Sequence, residues 1–404
     1  SLGCKRYIDL LQTATNFRFS VFDLIAALVY ARLVRPCSKS KTASSVFPYL
    51  YRGVQISEDQ IYDGCAFIGA SYKKYIELFN RCYEKHYKRD LRTTFFDCTN
   101  YYFEIEQEDG DKKYGKSKEH RPNPIIQMGL FTDGDGIPLA FSLFPGSQNE
   151  QRSLKPLEKK VIEDFGCGRF IFCSDAGLAS ENNRILNHSR DRAFIVTQPI
   201  KKLSAEYREL ALNRKRFRRL SDHKLVDLDH LTDDDSDQLF YKEEPYSSKK
   251  LEQRLIITYS PKYAAYQKEI RQKQVERAMA MLKAGNHTKQ RKNPNDPARF
   301  ITKEAVTQDG ERAEIQYYLD ETKIAEESLY DGLYAVCTDL FEDAVGDILK
   351  VSEGRWQIEA CFRIMKTDFS ARPIYLQRGD RIQAHFLICF LALLAYRILE
   401  KKLE

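Results

Sequence analysis

The sequence predicts an α/β protein: a mixed sheet with flanking helices, preceded by a helical N-terminal region and interrupted by a β-containing insertion. Three observations carry this. Between residues 91 and 200, short apolar runs alternate with turn residues and helix-length segments. Toward both ends of the chain, apolar residues recur at helical spacing. Between those parts, residues 201–330 carry blocks of opposite charge that break the α/β rhythm.

At 404 residues the chain has room for two or three domains of about 100–200 residues each. An apolar share of 43% fills a sizeable core and 30% charged residues dress its surface, which excludes wholesale disorder. Lys plus Arg is 64 against 58 Asp plus Glu, a net +6, compatible with nucleic acid without pointing to it unaided. The ten cysteines include no C-x-x-C and no short Cys/His pairing, which argues against a zinc site and a disulfide scaffold. A reducing, cytoplasmic setting is therefore expected. The longest apolar run, Phe386–Tyr396, is 11 residues, too short to span a bilayer, so a buried helix over Phe386–Leu394 is expected and no membrane partner. No signal peptide is visible, and Ser1 in place of Met suggests a processed or trimmed start.

Four regions follow in order: 1–90, 91–200, 201–338 and 339–404. In the first, Phe19–Leu33 carries Val21, Leu24, Ile25, Leu28 and Val29 at helical spacing until Pro36 stops it, and Ser57–Tyr87 is a second helical stretch with Ser57 as N-cap. In the second, strands are predicted at Thr93–Cys98, Ile125–Thr132, Ile137–Phe144, Phe170–Ser174 and Ala193–Thr197. Helices are expected at Gln151–Asp164 and between Asp175 and Ala193. In the third, residues 201–224 carry net +6, 225–245 net −7, 246–299 net +9 and 300–330 net −5. Strands are predicted there at Leu251–Tyr259 and Glu314–Leu319, a helix at Tyr263–Leu282 and an Asn/Pro-rich loop at Gly285–Pro297. After a strand at Leu333–Thr338, helices over Ile348–Thr367 and Ile382–Leu399 complete the core.

Chemistry concentrates where strands finish. Asp97 follows the apolar run Thr93–Phe96 and Asp175 follows Phe170–Ser174, so both are expected at the carboxyl edge of the sheet, where open α/β folds build sites. Two adjacent carboxylates repel and raise a pKa unless a cation neutralises them, and oxygen-only ligands suit Mg²⁺ or Mn²⁺. The competing reading is that each Asp caps the next turn or helix. In the C-terminal helix, Arg355, Glu359, Arg363 and Lys366 fall at i, i+4, i+8 and i+11, on one face at ideal helical pitch. An acid flanked by three bases suits a metal ligand with phosphate clamps, and equally a solvated face with i,i+4 ion pairs.

Together these segments resemble the DDE transposases of bacterial insertion sequences that carry a Tyr-x2-Arg-x3-Glu-x6-Lys signature. Arg355, Glu359 and Lys366 match that signature at the required spacing, with Ser352 where the Tyr falls. Asp97 in Phe-Phe-Asp-Cys-Thr and Asp175 in Ser-Asp-Ala-Gly match the two aspartates. Further likeness lies in Gly115–Pro122, Phe144–Asn149, Tyr330–Leu333, Ala371–Ile374 and Arg381–His385. The resemblance implies a ribonuclease-H-like sheet with a β-rich insertion before the Glu-bearing helix. It implies Asp97, Asp175 and Glu359 as catalytic ligands of two Mg²⁺ or Mn²⁺ ions. Cutting at terminal inverted repeats and joining 3′ ends to target DNA follow from it, as do a homodimer paired on DNA and a place in the bacterial nucleoid. An inactive DNA-binding remnant is the alternative.

The candidate DNA contacts are Arg355, Lys366, Arg363 and Ser352 on the Glu-bearing helix, and Lys118 and Arg121 in a polar loop that also holds Lys116 and His120. A basic run around Phe217 adds Lys215, Arg216, Arg218 and Arg219. Trp356, the single Trp, is expected as a packing residue before a base-stacking one.

Overall fold

The computed structural model describes residues 3–50, 54–149, 154, 158–159, 170–188, 191–248, 250–285, 295–306 and 314–404. Most of the expected helix Gln151–Asp164 and of the loop Gly285–Pro297 lies outside the described residues. Two compact units form, one from residues 1–197 with 342–404 and one from 198–341.

Unit 1 begins with five helices: α1 Lys5–Gln12, α2 Val21–Val34, α3 Lys39–Ser45, α4 Glu58–Ala70 and α5 Tyr72–Glu84. Serines set their starts. Ser20 accepts from the Asp23 N–H, and Ser57 forms a reciprocal box with Gln60, satisfying donors that a helix start leaves open. The expected single stretch Ser57–Tyr87 is two helices, because Ser71 leaves helical geometry at φ −125°, ψ 23°.

The sheet of unit 1 holds β1 Thr93–Tyr102, β2 Ile125–Asp133, β3 Pro138–Pro145, β4 Phe170–Ser174 and β5 Arg192–Thr197, in the order β3-β2-β1-β4-β5. The first three strands are antiparallel meander partners, while β4 and β5 run parallel to β1. Helix α6 (Glu181–Asn187) connects β4 to β5. The sheet is thus mixed, as the sequence predicts. β2 is buried along its whole length, the mark of a strand covered on both faces. Phe96 packs against Phe131 across the β1–β2 pair, with ring centroids 4.8 Å apart.

Unit 2 interrupts unit 1 in sequence and is rich in β structure. After α7 (Ala205–Leu212) come β6 Phe217–Arg219, β7 Leu225–Val226, β8 Phe240–Ser247 and β9 Glu252–Tyr259. Helix α8 (Pro261–Lys283), the hairpin β10 Ile301–Val306 with β11 Glu314–Leu319, α9 (Glu321–Ser328) and β12 Leu333–Thr338 follow. Its strands run β12-β9-β8-β6-β7, with antiparallel pairings. Val275 and Ala278 of α8 bury against Phe300 and Ile301, closing a small core.

The chain then returns to unit 1. The expected helix Ile348–Thr367 is broken: α10 Val345–Glu353 ends at Gly354, α11 spans Trp356–Arg363, and Ile364–Asp368 is a π-helical turn. A Cβ at Gly354 would lie 2.8 Å from the Phe95 ring, so glycine allows the close approach of this break to β1. Helix α12 (Gly379–Leu403) closes the fold. It is long and apolar enough to cross a bilayer, yet 72% of its most apolar window is buried inside the protein. Its Phe386 packs on Tyr101 and its Phe390 on Phe141, which makes it the central core helix of unit 1.

Candidate active site

Backbone register brings the two aspartates together. The parallel β1–β4 ladder pairs Thr93 with Ile171, Thr94 with Phe172 and Phe95 with Cys173. Carried two residues further, that register sets Asp97 beside Asp175. Asp97 follows the apolar run Thr93–Phe96 but sits inside β1, opposite Leu130 of β2, and the strand runs on past the predicted end at Cys98 to Tyr102. The antiparallel partner extends β1 beyond the point where β4 stops. Asp97 therefore stands at the carboxyl end of the parallel half only, where ligands gather in open α/β sheets.

Each aspartate spends one oxygen locally. Asp97 Oδ1 accepts from the Cys98 N–H at 2.7 Å, and Asp175 Oδ1 accepts from the N–H groups of Gly177 and Leu178 at 2.9 and 3.1 Å. The turn-capping reading of Asp175 is thus realised. Burial pushes the Asp97 carboxyl up to about 6, Asp175 adds to the rise, and Lys118, the Cys98 N–H and Arg355 oppose it.

Helix α11 supplies the next layer. Arg355 donates from Nη1 to Thr197 Oγ1 at the end of β5 (3.0 Å) and from Nη2 to Glu359 Oε1 (3.4 Å). Glu359 is exposed, its side chain 62% accessible. Among the described residues, no three His, Cys, Asp or Glu side chains converge closely enough to hold a metal ion. The structure therefore joins Asp97 to Asp175 and leaves Glu359 linked to them through Arg355. Mg²⁺ takes one or two carboxylates plus substrate phosphate oxygens, a requirement the aspartate pair fits with its two Oδ2 atoms. Glu359 does not complete that donor set in this conformation.

Lys366 is drawn off the helical stripe by the π turn, in which each residue rotates less about the axis than in an α-helix. It lies over the Tyr101 ring at 5.5 Å and pairs with Glu119 at 3.5 Å. Burial, then Lys118, pull its ammonium down to about 8, while Asp97 opposes the fall. Glu119 also pairs with Arg372. Lys118 donates from its ammonium to the Cys98 carbonyl, and Asn100 of β1 clamps the loop through Lys116 O and the Lys118 N–H. The Arg121 guanidinium stacks 4.9 Å above Tyr102, and His120 adopts a left-handed φ of 56°.

The remaining candidates lie in different surroundings. Arg363 is exposed, and Ser352 is buried within α10. Trp356, expected in the packing, is 61% exposed beside Arg355, because it opens α11 on the solvent side. In unit 2, Phe217 is fully buried under the Lys242 ammonium, so it is a core residue rather than an aromatic between phosphate contacts. Arg219 is tied to Asp222 and Asp235, and Arg218 donates to the His223 carbonyl. Lys215 and Arg216 stand exposed, Arg216 with a left-handed φ of 65°. Sequence reasoning gave no role to Glu119, Arg372, Thr197 or Tyr101. The first two lie within segments that carried the resemblance, whereas nothing in the sequence marked Thr197 as a partner of Arg355.

A mixed sheet with paired aspartates at the end of its parallel half, faced by a helix carrying Arg355 and Glu359, defines a carboxylate-centred α/β protein. Residues 88–395 match the transposase DDE domain, and the chain belongs to that family, whose work is transposition and DNA recombination. The cryo-EM structure of a piggyBac transposase synaptic complex with hairpin DNA aligns at 10% identity and a TM-score of 0.45, covering 99% of this chain and 72% of that one. No curated protein matches the sequence.

Proposed function

We propose that the protein cuts DNA at the terminal inverted repeats of a bacterial insertion sequence and joins the freed 3′ ends to target DNA. The observation that supports this best is the side-by-side placement of Asp97 and Asp175 within the family's catalytic domain. Two divalent ions would supply Lewis-acid activation of the attacking hydroxyl and stabilisation of the leaving oxygen. Asp97 and Asp175 would hold such ions, and Glu359 would join them once it exchanges its bond to Arg355 for a metal.

Arg355, released from Glu359 but still anchored on Thr197, would then turn its guanidinium toward phosphate oxygens near the cleaved bond. Lys366, held by Glu119 over Tyr101, would offset charge on the same strand. Lys118, Arg121, Arg363, Lys215, Arg216, Arg218, Arg219 and Ser352 remain the proposed further DNA contacts. The exposed Arg363, Lys215 and Arg216 are the best placed of these, while the buried Ser352 has the shortest reach. Pairing two DNA ends calls for a homodimer, and the DNA substrate places the work in the bacterial nucleoid.

A second reading, a DNA-binding remnant without cleavage, is favoured by one observation: Glu359 is engaged by Arg355 and stands apart from the aspartates. Nicking of a plasmid bearing the element ends, with Mg²⁺ or Mn²⁺, separates the two. The active enzyme nicks it, and Asp97→Asn and Glu359→Gln reduce nicking to background while retaining end binding. Unchanged nicking in either variant would falsify the assignment, and binding without nicking under either metal would establish the remnant.

A further inference from the structure

Unit 1 contains a positive centre that no acidic side chain answers among the described residues. Lys39 and Arg32 are each only 5% exposed. Arg32 donates one bond, from Nη1 to the Phe369 carbonyl at 2.9 Å. Lys39 has Arg32 as its cationic neighbour and the thiols of Cys65 and Cys389 nearby, which burial pushes up and keeps neutral, and burial with Arg32 pulls its ammonium down to about 8. Among the described residues, neither cation forms an ion pair. Burying an unpaired ammonium beside a guanidinium is unfavourable and persists only where something offsets it.

Both cations line a cavity of about 360 Å³, with Arg372, Ser38, Ser370 and His385 among its other walls. Its mouth is polar and open, since Ser38, Ser370 and Tyr375 are exposed. His385 Nε2 donates to the Ala371 carbonyl at 3.0 Å, and burial holds this imidazole well below its ordinary pKa. His385 is thus a neutral wall and adds no third charge. Glu119 already engages Arg372, which leaves Arg32 and Lys39 as the unanswered pair.

We propose that this cavity binds a phosphate-class oxyanion, either a phosphate group of DNA or free phosphate. Two adjacent cations call for an anion with several charged oxygens. The ammonium is a compact charge, the guanidinium has further N–H groups to spare, and the serine hydroxyls donate at the rim. A single carboxylate ligand would offer two oxygens and one charge, and would leave half of the centre unanswered. The segment from Lys366 to Arg372 joins this cavity to the candidate active site, and Ile374 anchors it through an N–H bond to the Tyr102 carbonyl at the end of β1 (3.0 Å). A phosphate held here would sit on the chain segment that positions Lys366.

The test is thermal unfolding of the full chain in inorganic phosphate against chloride at equal ionic strength, together with duplex binding across a salt series. If free phosphate is the ligand, it raises the melting temperature of the native protein, and Lys39→Met abolishes the rise. If a DNA phosphate is the ligand, free phosphate does little. Lys39→Met then weakens duplex binding about tenfold and lowers the slope of log affinity against log salt by about one. In either case Lys39→Met melts no lower than the native protein in phosphate-free buffer, because it removes an uncompensated charge. The proposal is overturned if Lys39→Met changes neither response. Should that variant fail to fold, Lys39→Gln and Ser370→Ala are read in the same two assays, and unchanged responses in both overturn it equally.

Discussion

Asp97 and Asp175 are positioned by a backbone ladder, whereas Glu359 rides on a helix interrupted both before and after it. The β1–β4 ladder ends at Phe95 and Cys173, two residues short of the aspartates, and anchors the strand ends that carry them, so their carboxylates are held close to a hydrogen-bonded frame. Helix α11 is only eight residues long, preceded by the Gly354 break and followed by the π turn, and its carboxylate is held by a single ion pair. Segments of that kind absorb motion. The difference teaches that, in the proposed donor set, the two aspartates stand together on the sheet while Glu359 stands apart on a short helix.

The sharpest way to break this comparison is to change reach by one methylene on each side. Asp97→Glu, in the fixed pair, lowers nicking at least about a hundredfold, because the ladder cannot retreat to accommodate it. Glu359→Asp costs about tenfold, because a short helix between two breaks can shift to make up part of the lost reach. Single-turnover plasmid nicking measures both, and equal losses would remove the distinction.

A smaller effect tests the break itself. Gly354→Ala drives a methyl into the Phe95 ring and destabilises the fold by about 1–3 kcal/mol, read by urea denaturation. If the helix can shift freely, the loss is near zero and nicking survives.

The smallest effect is on pH. The native Asp97 carboxyl keeps its proton up to about 6, while in the unfolded chain it releases near pH ~4. The folded value is the higher, so this group favours folding fully below about 4, and that contribution is lost as pH rises through about 6. Metal-free melting temperatures should therefore decline across this window in the native protein and decline less in Asp97→Asn. Excess Mg²⁺ should restore the native protein above pH 6. Parallel melting curves for the two proteins without metal would show that the carboxyl is not strained by its surroundings.

Much of the sheet was legible because its strands are short apolar runs closed by turns, as at Phe170–Ser174, which matches its strand residue for residue. β8 escaped because Lys242, Glu243 and Glu244 read as part of a charge block, while Phe240 and Tyr241 at its start supply the buried side chains. The breaks at Ser71 and Gly354 escaped because periodicity continues across them, and only backbone geometry reports the interruption. At the site, residue types showed which side chains carry chemistry. Sequence could not show how far β1 runs beyond Cys98, because the strand continues through the polar residues Thr99 and Asn100 on its pairing with β2. It could not show the Arg355–Thr197 bond either, since that contact joins residues far apart in the chain.

The shared register of β1 and β4 makes the aspartate pair a matter of counting. Adding or removing one residue ahead of Asp97 in β1, or ahead of Asp175 in β4, turns that carboxylate to the opposite face of the sheet and parts the pair. Length changes in the segment from Tyr102 to Ile125 leave the count intact. The protein can therefore be lengthened or trimmed between its strands with little consequence for the pair, while the strands themselves tolerate substitution far better than any change in length.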